Sequence, residues 1–163
     1  MILIAYDGSP DAKAAIEHAG TLFAGQDAIV LTIWQPFVEV VRATAWGYGA
    51  PLPDGIDITS EQSARSCAED GAELARQAGL TAEPCVTVGW LSLGDAILRR
   101  ATEFDADAIV IGSRGLGGLK SLLLGSVSHA VLQHADRPVV VIPSADVAAG
   151  RTNRALSHQG VST

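Results

Sequence analysis

The chain has 163 residues, a net charge of −7 and a hydrophobic content of 48%. That is enough for one domain with a sizeable core, and it excludes a disordered chain. The acidic balance, with Arg99-Arg100 as the only adjacent basic pair, excludes the basic stripe of a nucleic-acid binder. No apolar run approaches a bilayer span and the N-terminus has no basic leader region, so the expectation is a cytoplasmic protein without nucleic-acid or membrane partners.

The first apolar run, Ile2–Tyr6, predicts a strand. Ala12, Ala15, Ile16, Ala19, Leu22 and Phe23 then repeat at helical spacing. Ser9 is placed to cap that helix, Pro10 suits its first position, and Gly25 follows as a stop. A second strand is predicted over Ala28–Trp34. The segment Gln35–Ile58, rich in proline, glycine and aromatic residues, is too long for an ordinary connection and reads as a functional loop or a partner surface.

Ala64, Cys67, Ala68, Gly71, Ala75 and Ala78 form one face of a second helix, with Thr59 and Gln62 spaced as a capping box and Gly79 at its end. Glu83–Val88 is the third strand. Leu93, Ala96, Ile97, Ala101 and Phe104 mark the third helix, with Ser92 and Asp95 at its start. Asp107–Ile111 is the fourth strand, Ser126 to Ala135 the fourth helix, and Pro138–Ile142 the fifth strand. Near-continuous apolar strands alternating with helices predict an α/β fold, a doubly wound five-stranded parallel sheet with helices on both faces (Rossmann-like or flavodoxin-like). The domain is expected to span 1–143, followed by a disordered tail over 144–163.

Cys67 and Cys85 lie outside any C-x-x-C motif and read as buried free thiols. His18, His129 and His134 have no partners at metal spacing and read as surface or packing residues.

The loop from the fourth strand to the fourth helix carries the most chemistry. Gly112, Gly115 and Gly125 permit tight turns or the close approach of a phosphate, and Ser126 is expected as the cap of the following helix. The helix start supplies unpaired N–H groups and the positive end of a dipole. Arg114 and Lys120 offer additional positive charge. The Walker pattern fails because Lys120 is misplaced, and the dinucleotide fingerprint fails at its third glycine.

The spacing Gly112-x2-Gly115-x9-Gly125-Ser126 resembles the ATP-binding motif of the universal stress protein family. Ala5-Tyr-Asp7-Gly8-Ser9, Asp105 to Gly115 and Arg137 to Pro143 are similar to that family's other motifs, in the same order. The resemblance implies an ATP-binding stress-response module that forms a homodimer through the last strand. It assigns Gly112, Gly115, Gly125, Ser126 and Val127 to ribose and phosphates. It places Asp7 near the ribose–phosphate and a Mg²⁺ ion, and gives the adenine the backbone of Ile33. An aspartate before Gly-Ser-Pro also serves simply to tie the turn, so both roles of Asp7 stay open.

The chain departs from the family pattern at Gly89-Trp90-Leu91, where a Gly-x-Pro turn is usual, and at Thr32, where histidine is common. Trp34 and Trp90 are thus candidates to close the adenine end. No catalytic residue is assigned: hydrolysis requires a positioned base, and no second acid follows Asp7 in a recognisable motif. A slow ATPase or phosphotransferase, and a nucleotide-free interaction module of the same fold, are the alternatives.

Overall fold

The computed structural model describes residues 1–35, 61–90, 92–116, 124–146 and 148–149. The functional loop expected over Gln35–Ile58 lies outside these residues beyond Gln35, as does Thr59 of the expected capping box. Among the described residues nine elements follow one another: β1 (Ile2–Ala5), α1 (Pro10–Leu22), β2 (Asp27–Trp34), α2 (Glu61–Gln77), β3 (Thr81–Val88), α3 (Leu93–Glu103), β4 (Ala108–Gly112), α4 (Ser126–His134) and β5 (Val139–Ile142).

The strands form one sheet in the order β3-β2-β1-β4-β5, every described pair parallel. Chain order reverses between β1 and β4, which therefore flank the switch point where such sheets open a crevice at their carboxyl ends. The expected doubly wound fold is thus the observed one. Strand limits shift by one or two residues, the larger change being an earlier start of β3 at Thr81, where pairing with Asp27 of β2 begins.

Alternation along the strands divides the core in two. Ile2, Ile4, Tyr6, Ala28 and Val30 pack against Ala12, Ala15, Ile16 and Ala19 of α1 and Ala72 and Ala75 of α2. Leu3, Leu31, Ile109 and Ile111 pack against Ile97 and Ala101 of α3 and Val131 of α4. Each large aliphatic side chain buried in this way contributes roughly 1.5–3 kcal/mol. The alanine-rich faces of α1 and α2 let these helices lie close to the sheet. No helix among the described residues is long and apolar enough to cross a membrane.

Ser144 is the first residue of the segment expected as a tail. Ser144 is buried, and its carbonyl accepts from Ala148 N–H at 2.9 Å. Residues 150–163 lie outside the described set.

Candidate functional site

The carboxyl ends of β1, β2 and β4 bring Asp7, Ile33 and Gly112 to one end of the sheet. Ile33 and Val127 pack on the same core cluster as α3 and α4, so these residues share a face as well as an end. The segments 112–116 and 124–128 complete that end. Residues 117–123, including Lys120, lie outside the described set.

The loop is first of all tied to the protein itself. Ser113 N–H donates to the Ile142 carbonyl of β5, and Gly125 N–H donates to the Ser113 carbonyl, both at 2.7 Å. The Ser128 hydroxyl donates to the Gly112 carbonyl at 2.7 Å. These bonds hold the exit of β4 and the start of α4 side by side.

Asp7 acts as a latch between the two glycine turns. Its Oδ1 accepts from Ser9 N–H at 3.0 Å and its Oδ2 from Leu116 N–H at 3.1 Å. Gly8, with φ at +81°, makes the turn that sends the chain from β1 into α1. Among the described residues no cluster of three His, Cys, Asp or Glu side chains is placed to hold a metal.

Arg114 does not extend into solvent. Its guanidinium Nε lies 3.6 Å from Asp11 Oδ2, and its N–H donates to the same oxygen at 3.1 Å. The Ser113 hydroxyl donates to that oxygen at 2.7 Å. Asp11 is only 4% exposed. Burial opposes its charge, but hydrogen bonds from Ser113 and Ser144, the Arg114 guanidinium and the Arg114 N–H outweigh that cost, holding the carboxyl below the usual aspartate range. Sequence reasoning missed this residue. An acid in a first helical turn is ordinary dipole complementation, and its partners lie more than a hundred residues away.

The three glycines have different reasons. A Cβ at Gly112 would come within 2.7 Å of the Asp11 carbonyl carbon and 2.9 Å of Ala12 N, so the strand end needs glycine to pass the first turn of α1. A Cβ at Gly115 would meet Asp7 Oδ2 at 2.6 Å. Gly125 is under no such constraint: its φ of −70° suits any residue, and the nearest atoms to an added Cβ are 3.4 Å away.

Gly125 is also the N-cap of α4, which corrects the expectation for Ser126. Ser126 is the first helical residue, and no side chain among the described residues caps this helix. By contrast, Ser9 caps α1 through Ala12 N–H, and Ser92 caps α3 through Asp95 N–H. The N–H groups of Ser126, Val127 and Ser128 consequently have no partner among the described residues. An uncapped helix start presents these donors and its dipole to an anion.

The aromatic expectations divide. Trp34 lines a hollow with Glu61, Arg65 and Ala68 of α2, on the face opposite Ile33, so it does not close this site. Trp90 is 58% exposed and follows Gly89, whose N–H donates to the Trp34 carbonyl. Gly89 lies against Ile33: a Cβ added there would be 2.9 Å from the Ile33 methyl. The two cysteines are free and half-buried, and burial pushes both thiols up.

Residues 1–143 match the universal stress protein family. A universal stress protein of Bacillus subtilis is 31% identical over 145 residues, which are 86% of this chain and 97% of that one. The structure of a universal stress protein from Archaeoglobus fulgidus in complex with dAMP matches with a TM-score of 0.59 and 24% identity, over 86% of this chain and 95% of that one. A member from Arabidopsis thaliana with AMP bound matches with a TM-score of 0.60 and 20% identity, over 89% and 92% of the two chains.

Proposed function

The chain belongs to the universal stress protein family, and from that premise we propose that it is a nucleotide-binding regulatory module that takes ATP at the β1/β4 switch point. The observation that carries this reading is the uncapped start of α4, where three main-chain donors face the turn left by Gly125. The relatives crystallised with dAMP and AMP support an adenine nucleotide as the guest.

In this reading the amides of Ser126 and Val127 hold phosphate oxygens, and the backbone from Gly112 to Gly115 borders the ribose. Charge-assisted hydrogen bonds contribute roughly 1.5–3 kcal/mol each. A few of them approach the roughly 8 kcal/mol of micromolar affinity. Asp7 keeps lone pairs beyond its two backbone bonds and serves the Mg²⁺ that accompanies the phosphates, since that ion commonly takes one carboxylate with phosphate and water oxygens. Ile33 offers main chain and an apolar surface to the base. Arg114 borders the phosphates by position, since its N–H and its guanidinium are both engaged by Asp11.

The protein is cytoplasmic in this reading, and a homodimer. β5 is an edge strand of the sheet, and Val139, Val140 and Val141 are only half-buried. An apolar edge with unpaired backbone groups invites a second copy, strand against strand.

Calorimetric titration with ATP and Mg²⁺ tests the proposal. Saturable binding at micromolar to millimolar ATP is expected, with a dimeric mass by sedimentation. The absence of saturable binding at about ten millimolar ATP refutes the nucleotide site, and a monomeric mass refutes the β5 interface.

A further inference from the structure

We infer that Asp11 is a positioning residue for the phosphate cradle, locking the exit of β4 into the shape in which the start of α4 is offered to the nucleotide. The inference rests on the nucleotide-binding reading above and concerns a residue that touches no ligand.

Asp11 sits two residues beyond the Ser9 cap of α1, where the helix dipole favours an anion. Its Oδ2 receives the Ser113 hydroxyl at 2.7 Å, the Arg114 N–H at 3.1 Å and the Arg114 guanidinium at 3.6 Å. Ser144, just beyond β5, is buried and helps keep the carboxyl ionised. One buried carboxylate thus joins the first turn of α1 to the exit of β4.

The link to the cradle runs through Ser113. Its side chain is fixed by Asp11, and its carbonyl receives Gly125 N–H at 2.7 Å, which sets the residue that opens α4. A donor that binds an oxyanion well must be held at the right distance before the ligand arrives. Without the carboxylate, the buried Ser113 hydroxyl and the Arg114 N–H lose their acceptor, and the turn that positions Gly125 loses its anchor. The arrangement also sets charge. Asp11 and the Arg114 guanidinium compensate one another, so Arg114 offers an anion no free charge.

The prediction separates the two ends of the nucleotide. Asp11→Ala is expected to weaken ATP binding tenfold or more while leaving adenosine affinity within about twofold, because adenosine makes no phosphate contact. Asp11→Asn keeps an acceptor oxygen and is expected to lose less than Asp11→Ala. Ser113→Ala removes only the hydroxyl that reaches the carboxylate; it should show the same ATP-selective loss and carries the test if Asp11→Ala fails to fold.

Amide hydrogen exchange on the free Asp11→Ala protein is expected to accelerate at Arg114 and Gly125 and to leave the central strands unchanged. The inference is overturned if the variants bind ATP as tightly as the parent, if ATP and adenosine affinities fall together, or if exchange at Arg114 and Gly125 is unaltered. A parent protein that binds no ATP sinks the nucleotide reading instead, and the exchange measurement still scores the positioning role.

Discussion

Arg137→Ala should lower unfolding stability by about 3 kcal/mol, seen as a lower urea midpoint with an unchanged slope. The Arg137 side chain is 14% exposed and spans the end of α3. Its Nη1 donates to the carbonyls of Ala101 at 2.8 Å and Ala106 at 2.7 Å, and its Nη2 to the Thr102 hydroxyl at 3.3 Å. The Ala101 carbonyl lies in the last turn of α3, at the negative end of the helix dipole, where a cation is favoured. Truncation leaves the carbonyl oxygens of two buried alanines without their charged donor. Hydrogen bonds from a charged group contribute roughly 1.5–3 kcal/mol each, and the dipole adds about 0.3–1 kcal/mol.

The neighbouring ion pair with Asp136 makes a control. Its carboxylate is largely exposed, so Asp136→Ala should leave the urea midpoint nearly unchanged. Arg137→Lys supplies a point charge without the planar fork and should recover only part of the loss. A cost below about 1 kcal/mol for Arg137→Ala would show that water replaces the guanidinium at these carbonyls.

The sheet was legible because strands covered on both faces must be apolar along their whole length. Ile2 to Ala5, Ala28 to Leu31 and Ala108 to Ile111 satisfy that condition with no other period competing. α1 and α3 were legible down to their caps, because Ser9 and Ser92 precede clear helical repeats and use the chemistry that short hydroxyl side chains favour. The same preference misled at α4. Serine outranks glycine as a cap by intrinsic preference, so the sequence favours Ser126 over its neighbour. In the folded chain Gly125 takes the extended conformation, with ψ at 157°.

The glycines of the loop are evident in the sequence, which offers tight turns or the close approach of a phosphate as their purpose, and packing separates them. Gly112 yields to α1, Gly115 yields to Asp7, and only Gly125 has room to spare within the protein. Those distances depend on which elements meet in space, and the sequence does not contain them. The same holds for Arg114. A basic side chain on a glycine-rich loop looks available to phosphate until a buried acid from the opposite end of the domain is placed beside it. Trp34 illustrates the converse: alternation from Ile33 already put it on the other face of β2, and its size drew attention that its register did not justify.

Ser126→Pro tests the amides of α4 more sharply than truncation of any side chain. Proline has no N–H, so the substitution deletes one donor of the cradle. It does so at the one helical position where proline is favoured, since the first N–H of a helix has no intrahelical partner to lose. Gly125 already has the extended backbone that a residue before proline requires, and α1 of this protein carries Pro10 at the equivalent position. Folding stability should therefore stay within about 0.5 kcal/mol of the parent. ATP affinity should fall roughly tenfold to 150-fold, the equivalent of one charge-assisted hydrogen bond, while adenosine affinity holds. Ser126→Ala keeps the N–H and removes the hydroxyl, so its ATP affinity reports the side chain alone. Unchanged ATP binding by Ser126→Pro would place the phosphates away from the α4 start and leave the uncapped helix without a ligand to explain it.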